Sequence, residues 1–359
     1  MRRHILISLL LLAFGPVDAD AKFCPALAQI VKARLDARGI NLSLAPGEKL
    51  SPARIAEIRM TLERVDAALP DAIGRPENLT FRVRRHSDEA SYDAWTRTVT
   101  VPYQFLGEGK QATRLFYTEA ILAHEYVHAV FSSNLRKRFP ELFAPFQKQG
   151  RAYVKNLQLT AKIEAEMDQV LKAVQIAESQ SPAAQAEVIR LTSSYGELNR
   201  KVIRLKNELK VLGPPLQELK NAVSPYSEFF ADLLTVHTFK NPEAIRNGLE
   251  RVERSARGTP AFQGRDFKIM HDVQGWEYGE PHILLAPVRS HVWKKYLSRK
   301  PYAGTPQVLT HVFNAIISEL KLNTIRGVAQ IPVDEPQVLR KMNADLIRAI
   351  DQEMKSFRP

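Results

Sequence analysis

The sequence predicts an α+β fold that is mostly helical with a small sheet and carries an inserted antiparallel coiled-coil hairpin. Two short stretches between residues 79 and 101 alternate apolar and polar side chains, as strands do. Most other segments place apolar residues three and four positions apart, which is typical of helices. In the middle of the chain this spacing becomes a heptad seam, which predicts the hairpin. The length of 359 residues is enough for about two domains.

The composition is that of a globular protein with a basic surface. Hydrophobic residues make up 45% and charged residues 25% of the chain, which excludes a disordered chain and a protein that is only a coiled coil. The net charge of +12 favours acidic partners. The basic residues are spread along the chain without a cluster interleaved with aromatic residues, so no nucleic-acid site is expected. An anionic component of a cell envelope is a partner that suits this charge.

The first 21 residues have the layout of a secretory signal peptide. Arg2 and Arg3 form a positive start, residues 5–14 form an apolar core, and Ala19-Asp20-Ala21 offers small residues to a signal peptidase. The apolar run is too short to remain as a membrane-spanning helix. We therefore expect an exported protein, periplasmic or secreted, with no transmembrane span after cleavage. The single Cys24 excludes an internal disulfide.

The N-terminal part of the mature chain, residues 22–147, is predicted to contain both strands and the first three helices. Ser51-Pro52 supplies a helix N-cap followed by a first-turn proline. Pro102, at the end of the second strand, indicates an edge position in the sheet. In chain order the patterns predict helices over 25–38 and 51–69, strands over 79–84 and 95–101, and a helix over 113–131.

Residues 148–212 are predicted to form the helical hairpin. On both of its helices the intervals between apolar residues alternate three and four. A turn is expected near Ser179, and Gly213-Pro214-Pro215 is expected to end the hairpin. The hairpin is either an arm that grips a partner or shields a site, or a stabilising insertion. The seam residues are Ile163, Met167, Val170, Val174 and Ala177 on the first helix, and Val188, Leu191, Tyr195, Leu198, Val202, Leu205, Leu209 and Leu212 on the second.

The C-terminal part, residues 213–359, is predicted to be mainly helical. Ser224-Pro225 again combines an N-cap with a first-turn proline, so a new helix is expected to begin there. A strand is predicted over 282–285. Two helices, near 305–322 and 335–357, complete the chain.

The sharpest chemical signal is His124-Glu125-Tyr126-Val127-His128, an H-E-x-x-H on a predicted helix. Residues i and i+4 share one face of a helix, so both imidazoles can point at one metal ion. Glu125 projects beside that face, where it can take a proton from a water that the metal activates. The flanking residues are apolar, and buried histidines need partners, for which a metal is a natural choice. The alternative is a core helix whose histidines hydrogen-bond to backbone.

A second motif, Ser227-Glu228-Phe229-Phe230-Ala231-Asp232, lies in a later apolar helix. H-E-x-x-H followed by E-x-x-x-D resembles the gluzincin group of zinc metallopeptidases. The resemblance covers the two motifs and the strand before the first, and it implies a zincin-like metallopeptidase domain. It also implies a Zn²⁺ cofactor held by His124, His128 and Glu228.

The same resemblance assigns roles to two further carboxylates. Glu125 would be the general base, and Asp232 would accept a hydrogen bond from a ligand histidine and fix its tautomer. His237, one helical turn beyond Asp232, is the competing third ligand. A carboxylate favoured by a helix N-terminus is the alternative explanation of Glu228. The metzincin pattern fails, because no glycine and third histidine follow His128 at the spacing it requires.

The resemblance does not identify the residue that stabilises the oxyanion. Gluzincins usually place a histidine or tyrosine downstream for this purpose. No motif identifies that residue here, and His282 and His291 are the candidates because they flank an apolar stretch that could border the cleft. Zincins also pair an edge strand with an extended substrate, and the strand over 95–101 is the candidate for that role.

These residues predict an exported zinc-dependent metallopeptidase that acts on a protein or peptide substrate. One alternative is a non-catalytic zincin-fold binding protein of the cell envelope. Another is a zinc hydrolase of cell-wall peptides. A third is a coiled-coil interaction protein in which H-E-x-x-H is coincidental.

Overall fold

We describe the protein from a computed structural model, which covers residues 32–35, 39–44, 49–84, 89–106, 115–177, 182–252, 264–269, 281–325 and 336–357. The predicted signal peptide over 1–21, Cys24 and the turn expected near Ser179 lie outside the described residues. Within them the chain is mostly helical with a small sheet, so the α+β prediction is confirmed at that level.

The sheet has five strands: β1 (Lys32–Arg34), β2 (Asn41–Leu44), β3 (Thr80–Arg84), β4 (Ser91–Asp93) and β5 (Thr98–Pro102). Their spatial order is β1-β2-β3-β5-β4. The three central strands run parallel, and the two outer strands pair antiparallel to their neighbours. Alternate residues of β2 and β3 are buried, which gives the sheet one face against the core.

The edge position predicted for the second strand is wrong. Strand β5 pairs with β3 on one side and with β4 on the other, so β4 is the edge strand. Pro102 is tolerated because it is the last residue of the strand, where a missing N–H interrupts little of the ladder. Residues 95–97, which the prediction included, form the turn between β4 and β5 instead.

Two further segments differ from the predictions. The helix predicted over 25–38 is wrong where the structure describes it, because Lys32–Arg34 is a strand paired with β2. The strand predicted over 282–285 is a turn that leads into a helix. Pairing with β2 selects the strand at Lys32–Arg34, and over 282–285 the apolar run is too short to have a decisive period.

The helices are α1 (Pro52–Ala68), α2 (Leu115–Arg138), α3 (Pro140–Ala177), α4 (Pro182–Phe239), α5 (Ala244–Val252), α6 (Ala286–Val292), α7 (Gln307–Ile325) and α8 (Pro336–Lys355). A single 3₁₀ turn follows β5 over Tyr103–Leu106, and a short π-helical segment, Trp293–Leu297, follows α6. The Oγ of Ser51 accepts a hydrogen bond from the N–H of Arg54 at 3.3 Å, which confirms the predicted N-cap of α1. Among the described helices, none has the length and hydropathy needed to cross a bilayer.

The chain divides into two compact units, and residues 144–217 belong to one of them. In this unit Ile163 and Met167 of α3 pack with Val202 and Leu205 of α4 in a buried cluster. The two helices run antiparallel, because residues further along α3 contact residues nearer the start of α4. Gln149 donates to the backbone oxygen of Leu212 at 3.1 Å, and Glu164 pairs with Lys206 at 2.7 Å.

Gly213-Pro214-Pro215 does not end the second helix, contrary to the prediction. Helix α4 continues through these residues and through Ser224-Pro225 to Phe239. The glycine serves close packing here, since a Cβ at Gly213 would stand 3.4 Å from the ring of Tyr153 on α3. Each proline removes one backbone donor from the helix, a local cost that the packing on both sides of the segment outweighs.

The second unit comprises residues 29–143 and 218–359, as far as they are described, and it contains the sheet. Phe131 of α2, Phe230 of α4 and Phe313 of α7 form an aromatic cluster with ring centroids 5.2 to 5.7 Å apart. The hydroxyl of Tyr126 donates to the carboxylate of Asp66 on α1 at 2.8 Å. These contacts fix α2 against α4 and α1, and thereby the two helices that carry the sequence motifs.

Candidate metal centre

The two histidines of H-E-x-x-H face one another on α2. Both are buried, and their Nε2 atoms are 2.9 Å apart. The imidazole rings meet edge to face with centroids separated by 4.5 Å. One helical turn separates the two residues, so the helix itself places both nitrogens at one point.

Glu228 of α4 brings a carboxylate to the same point. Its Oε2 lies 3.2 Å from Nε2 of His124, and its Oε1 lies 3.4 Å from Nε2 of His128. Ligand atoms about 2.0–2.1 Å from a tetrahedral zinc ion are roughly 3.3 Å from one another. The two imidazoles and the carboxylate therefore approach one another at nearly the spacing that a zinc ion imposes, with a different oxygen of Glu228 facing each histidine. Two imidazoles with one carboxylate are a donor set that zinc accepts.

Glu125 lies next to these donors. One of its carboxylate oxygens and a nitrogen from each histidine are all within 4.8 Å of one another, and its side chain is buried. This distance suits a base beside the metal, and it would also allow a ligand. We favour the base because Glu228 contacts both imidazoles and supplies the third donor.

The other nitrogen of each histidine is held by a second residue of α4. Nδ1 of His124 is 3.0 Å from Oδ1 of Asp232, and Nδ1 of His128 is 2.8 Å from Oγ of Ser227. An Nδ1–H that donates to oxygen leaves the Nε2 lone pair free for a metal. The E-x-x-x-D motif includes Asp232. Ser227 directly precedes that motif, and the sequence assigned it no role.

Two buried arginines complete the arrangement, and the sequence analysis missed both. Nη2 of Arg265 donates to Oδ1 of Asp232 at 2.6 Å, and Nε of Arg289 donates to Oδ2 at 2.8 Å. The sequence contains one weak indication of Arg289: it follows the apolar run from Ile283 to Val288, and a cation next to such a run needs a partner. No local pattern marks Arg265, whose role depends on a contact across the fold.

Arg265 also lies against the ring of His124. Its Nη2 is 3.2 Å from Nδ1 and 3.0 Å from Nε2 of that imidazole. A nitrogen almost equidistant from both ring nitrogens cannot lie along the in-plane lone pair of either one, so the guanidinium stacks over the ring face. Nε2 of His124 is therefore directed toward Glu228 and His128 rather than toward Arg265.

The charges around the site shift the protonation of its members. Burial alone would raise the pKa of Asp232, but the charges of Arg265 and Arg289 outweigh it and hold that pKa well below its ordinary value. Burial also opposes ionisation of Glu228, and the neighbouring His282 and His128 overcome it, so its pKa is lowered too. Both carboxylates are anionic at neutral pH, as metal coordination and its support require.

His124 responds in the opposite direction. Burial and the charge of Arg265 both lower its pKa, yet hydrogen bonds to Asp232 and Glu228 raise it to about 9. Without a metal, this imidazole holds a proton between two carboxylates. The carboxylates therefore favour a positive charge at His124, either as a proton on the imidazole or as a metal ion bound to it, which agrees with the donor set.

Of the two histidines proposed for the oxyanion, the structure brings only His282 to the cluster. Its Nε2 lies 3.4 Å from Oε2 of Glu228, and its side chain is 38% exposed. His291 pairs instead with Asp351, at 2.8 Å, because it projects from α6 toward α8 rather than toward Asp232. His237, the competing third ligand, lies nine positions after Glu228 and hence about half a turn away from its face of α4.

Neither a family of known proteins, nor a curated sequence, nor a solved structure matches this chain. Two imidazoles, a shared carboxylate, an adjacent glutamate and a partly exposed histidine form a constellation that can hold a divalent metal and transfer a proton beside it.

Proposed function

We propose that this protein is an exported zinc-dependent metallopeptidase of gluzincin type, built on a zincin-like domain. His124, His128 and Glu228 hold the zinc ion in this proposal. The observation that carries it is the approach of Glu228, 104 residues after His124 in the chain, to both Nε2 atoms. A core helix with coincidental histidines would not need a buried carboxylate at that point.

The residues of the chain divide the work of peptide hydrolysis among them. Bound zinc supplies a Lewis acid that polarises a carbonyl and makes a water acidic near neutral pH. A carboxylate oxygen of Glu125 accepts the proton of the attacking water and then passes it to the nitrogen of the leaving amine. Asp232 and Ser227 keep the two imidazoles oriented throughout.

His282 is the residue we assign to stabilisation of the oxyanion. It is near the cluster and partly exposed, so a substrate carbonyl can approach its Nε2–H. His291 is not proposed again for this role.

The substrate is proposed to be a protein or a peptide outside the cytoplasm. The layout of residues 1–21 supports export, and the net charge of +12 suits an anionic envelope. Cross-linked cell-wall peptides are the nearest alternative substrate, because the chemistry at the peptide bond would be the same.

The decisive experiment combines metal content with hydrolysis. Elemental analysis of the purified chain, with no metal added, should find about one zinc per chain. Glu125→Gln should keep the zinc and lose at least about 1,000-fold in turnover of a peptide library. Glu119→Gln, on the same helix and bonded to Arg64 outside the site, is the matched control and should keep both properties.

Three results would contradict parts of the proposal. A chain that contains no zinc and takes none up on titration is not a metalloenzyme. Zinc without hydrolysis of any peptide or cell-wall fragment would favour the non-catalytic binding protein. Substantial turnover by Glu125→Gln would remove that residue from the role of base.

A further inference from the structure

A pocket lies on the side of α2 that faces away from the histidines. Its volume is about 190 Å³, and its lining comes from the segment before β3, from the β4–β5 turn region and from α2. Ser133 and Lys137 of this lining lie about half a helical turn from the face that carries His124 and His128. The opening is therefore separate from the candidate metal centre.

The lining of this pocket is strongly basic. Arg97, Arg136 and Lys137 contribute three cations, and Glu77 contributes the one carboxylate. Among the described residues, no carboxylate oxygen lies within 4.0 Å of Arg97 or Lys137. A bound anion would supply Arg97 and Lys137 with the counter-charge that the described carboxylates do not give them.

Arg136 is held in place by its surroundings. Its guanidinium donates to the backbone oxygen of Ala94 and lies 6.0 Å from the ring centroid of Trp95 and 5.8 Å from that of Phe143. Such contacts fix the orientation of the guanidinium before any ligand arrives. A preorganised guanidinium loses little conformational entropy on binding an anion.

Arg97 occupies a backbone position that suits another residue type. Its φ is +52°, in the left-handed region, where glycine or asparagine is the ordinary choice. The turn is fixed by Asp93, whose Oδ1 accepts from the N–H of Trp95 at 2.8 Å and of Thr96 at 3.2 Å. An arginine in this conformation has a cost in backbone free energy, and such costs are concentrated at functional sites.

We propose that this pocket binds a phosphate group, either of a free phosphate monoester or of the head group of an anionic phospholipid. Planar guanidinium groups match the geometry of phosphate oxygens, and Lys137 adds a point charge. The apolar surface of Leu79 and the ring of Tyr92 can accommodate the first atoms of the esterified group. The volume of about 190 Å³ is below the roughly 300–1,000 Å³ of sites for drug-sized ligands, which suits a small anion. None of these observations depends on the metal centre or on peptide hydrolysis.

The test uses inorganic phosphate and the full chain. Phosphate should bind in calorimetric titrations at constant ionic strength and raise the Tm, whereas chloride at equal ionic strength should not. Arg97→Gly removes the guanidinium and relieves the left-handed backbone, so it should keep or raise the Tm without phosphate. The same variant should bind phosphate at least about 10-fold more weakly.

Lys137→Ala should weaken binding in the same way, and Arg59→Ala and Lys201→Ala, both exposed and outside the pocket, should not. Vesicles then distinguish the source of the phosphate group. Retention on phosphatidylglycerol vesicles that free phosphate displaces, and that Arg97→Gly loses, identifies a lipid head group; a soluble ester alone gives no such retention. Absence of phosphate binding, or unchanged binding by Arg97→Gly and Lys137→Ala, would overturn the proposal.

Discussion

Oδ1 of Asp232 lies 3.0 Å from Nδ1 of His124, at the centre of a chain of contacts that links a candidate ligand to two buried arginines. The imidazole is thereby oriented by a carboxylate that is itself held from two further directions. In sequence these four residues span 124 to 289, so the orientation of one ligand depends on three distant parts of the chain. Metal sites commonly owe much of their affinity to such supporting groups.

Replacing Asp232 by asparagine should weaken zinc binding about 10- to 100-fold, because an amide no longer selects the Nδ1–H tautomer of His124. Competition with a chromophoric chelator would measure the affinity. Asp351→Asn is the matched control, since Asp351 also pairs with a histidine, His291, but outside the site. Equal affinities in the two variants would show that Asp232 does not support the metal.

Replacing Arg289 by methionine should destabilise the fold by about 3–5 kcal/mol, because it leaves a buried carboxylate short of one of its two cations. Arg289 is entirely buried, so solvent cannot take over its role. Urea denaturation followed by circular dichroism would give the change. The exposed Arg299→Met should shift the free energy of unfolding by no more than about 0.5 kcal/mol. If Arg289→Met also changed the free energy of unfolding by no more than about 0.5 kcal/mol, Arg265 alone would be enough to stabilise the carboxylate of Asp232.

His282→Ala should lower kcat about 100- to 1,000-fold while leaving the zinc content unchanged, since the residue is assigned to the transition state and not to the metal. His291→Ala should leave kcat unchanged. The comparison requires a substrate found by peptide screening. If the two variants lose activity equally, the assignment from proximity to Glu228 is wrong.

His237 should make the fold less stable as the pH falls from about 6.5 to about 4. Burial lowers its pKa from 6.5 to about 4, with a smaller contribution from Lys240. The unfolded chain therefore takes up a proton in this window before the folded chain does, and stability is lost as the pH decreases. The loss is at most about 3 kcal/mol, and partial solvent contact reduces it. In His237→Gln the denaturation midpoint should depend less on pH in this window, and an unaltered pH profile would contradict the prediction.

Leu205→Ala should destabilise the hairpin unit by about 2–5 kcal/mol, because it opens a cavity between α3 and α4. Leu205 is buried in the seam, whereas the nearby Ile203 is 53% exposed. Ile203→Ala should therefore change stability by less than about 0.5 kcal/mol. Amide hydrogen exchange of the seam residues would report on this unit directly. Similar exchange rates in both variants would contradict the heptad assignment.

The sequence was most informative where one local period carried the information. The face shared by His124 and His128 follows from the pitch of one helix, and the seam through Val202 and Leu205 follows from the heptad. Arg265 and Arg289 could not be predicted, because their partner Asp232 is remote in sequence and no spacing connects them. Gly213-Pro214-Pro215 misled for a related reason: these residues disfavour a helix locally, and the packing of Tyr153 on Gly213 overrides that preference.

The prolines retained inside the long helices have a mechanical consequence. Pro145 lies in α3 and Pro214 and Pro215 lie in α4, next to the positions at which the chain passes from one unit to the other. A proline has no N–H, so the carbonyl four residues earlier loses its helical donor, at Glu141, Lys210 and Val211. Both helices thus lack backbone hydrogen bonds at these positions. Local opening of these two helices is therefore expected to begin at the prolines.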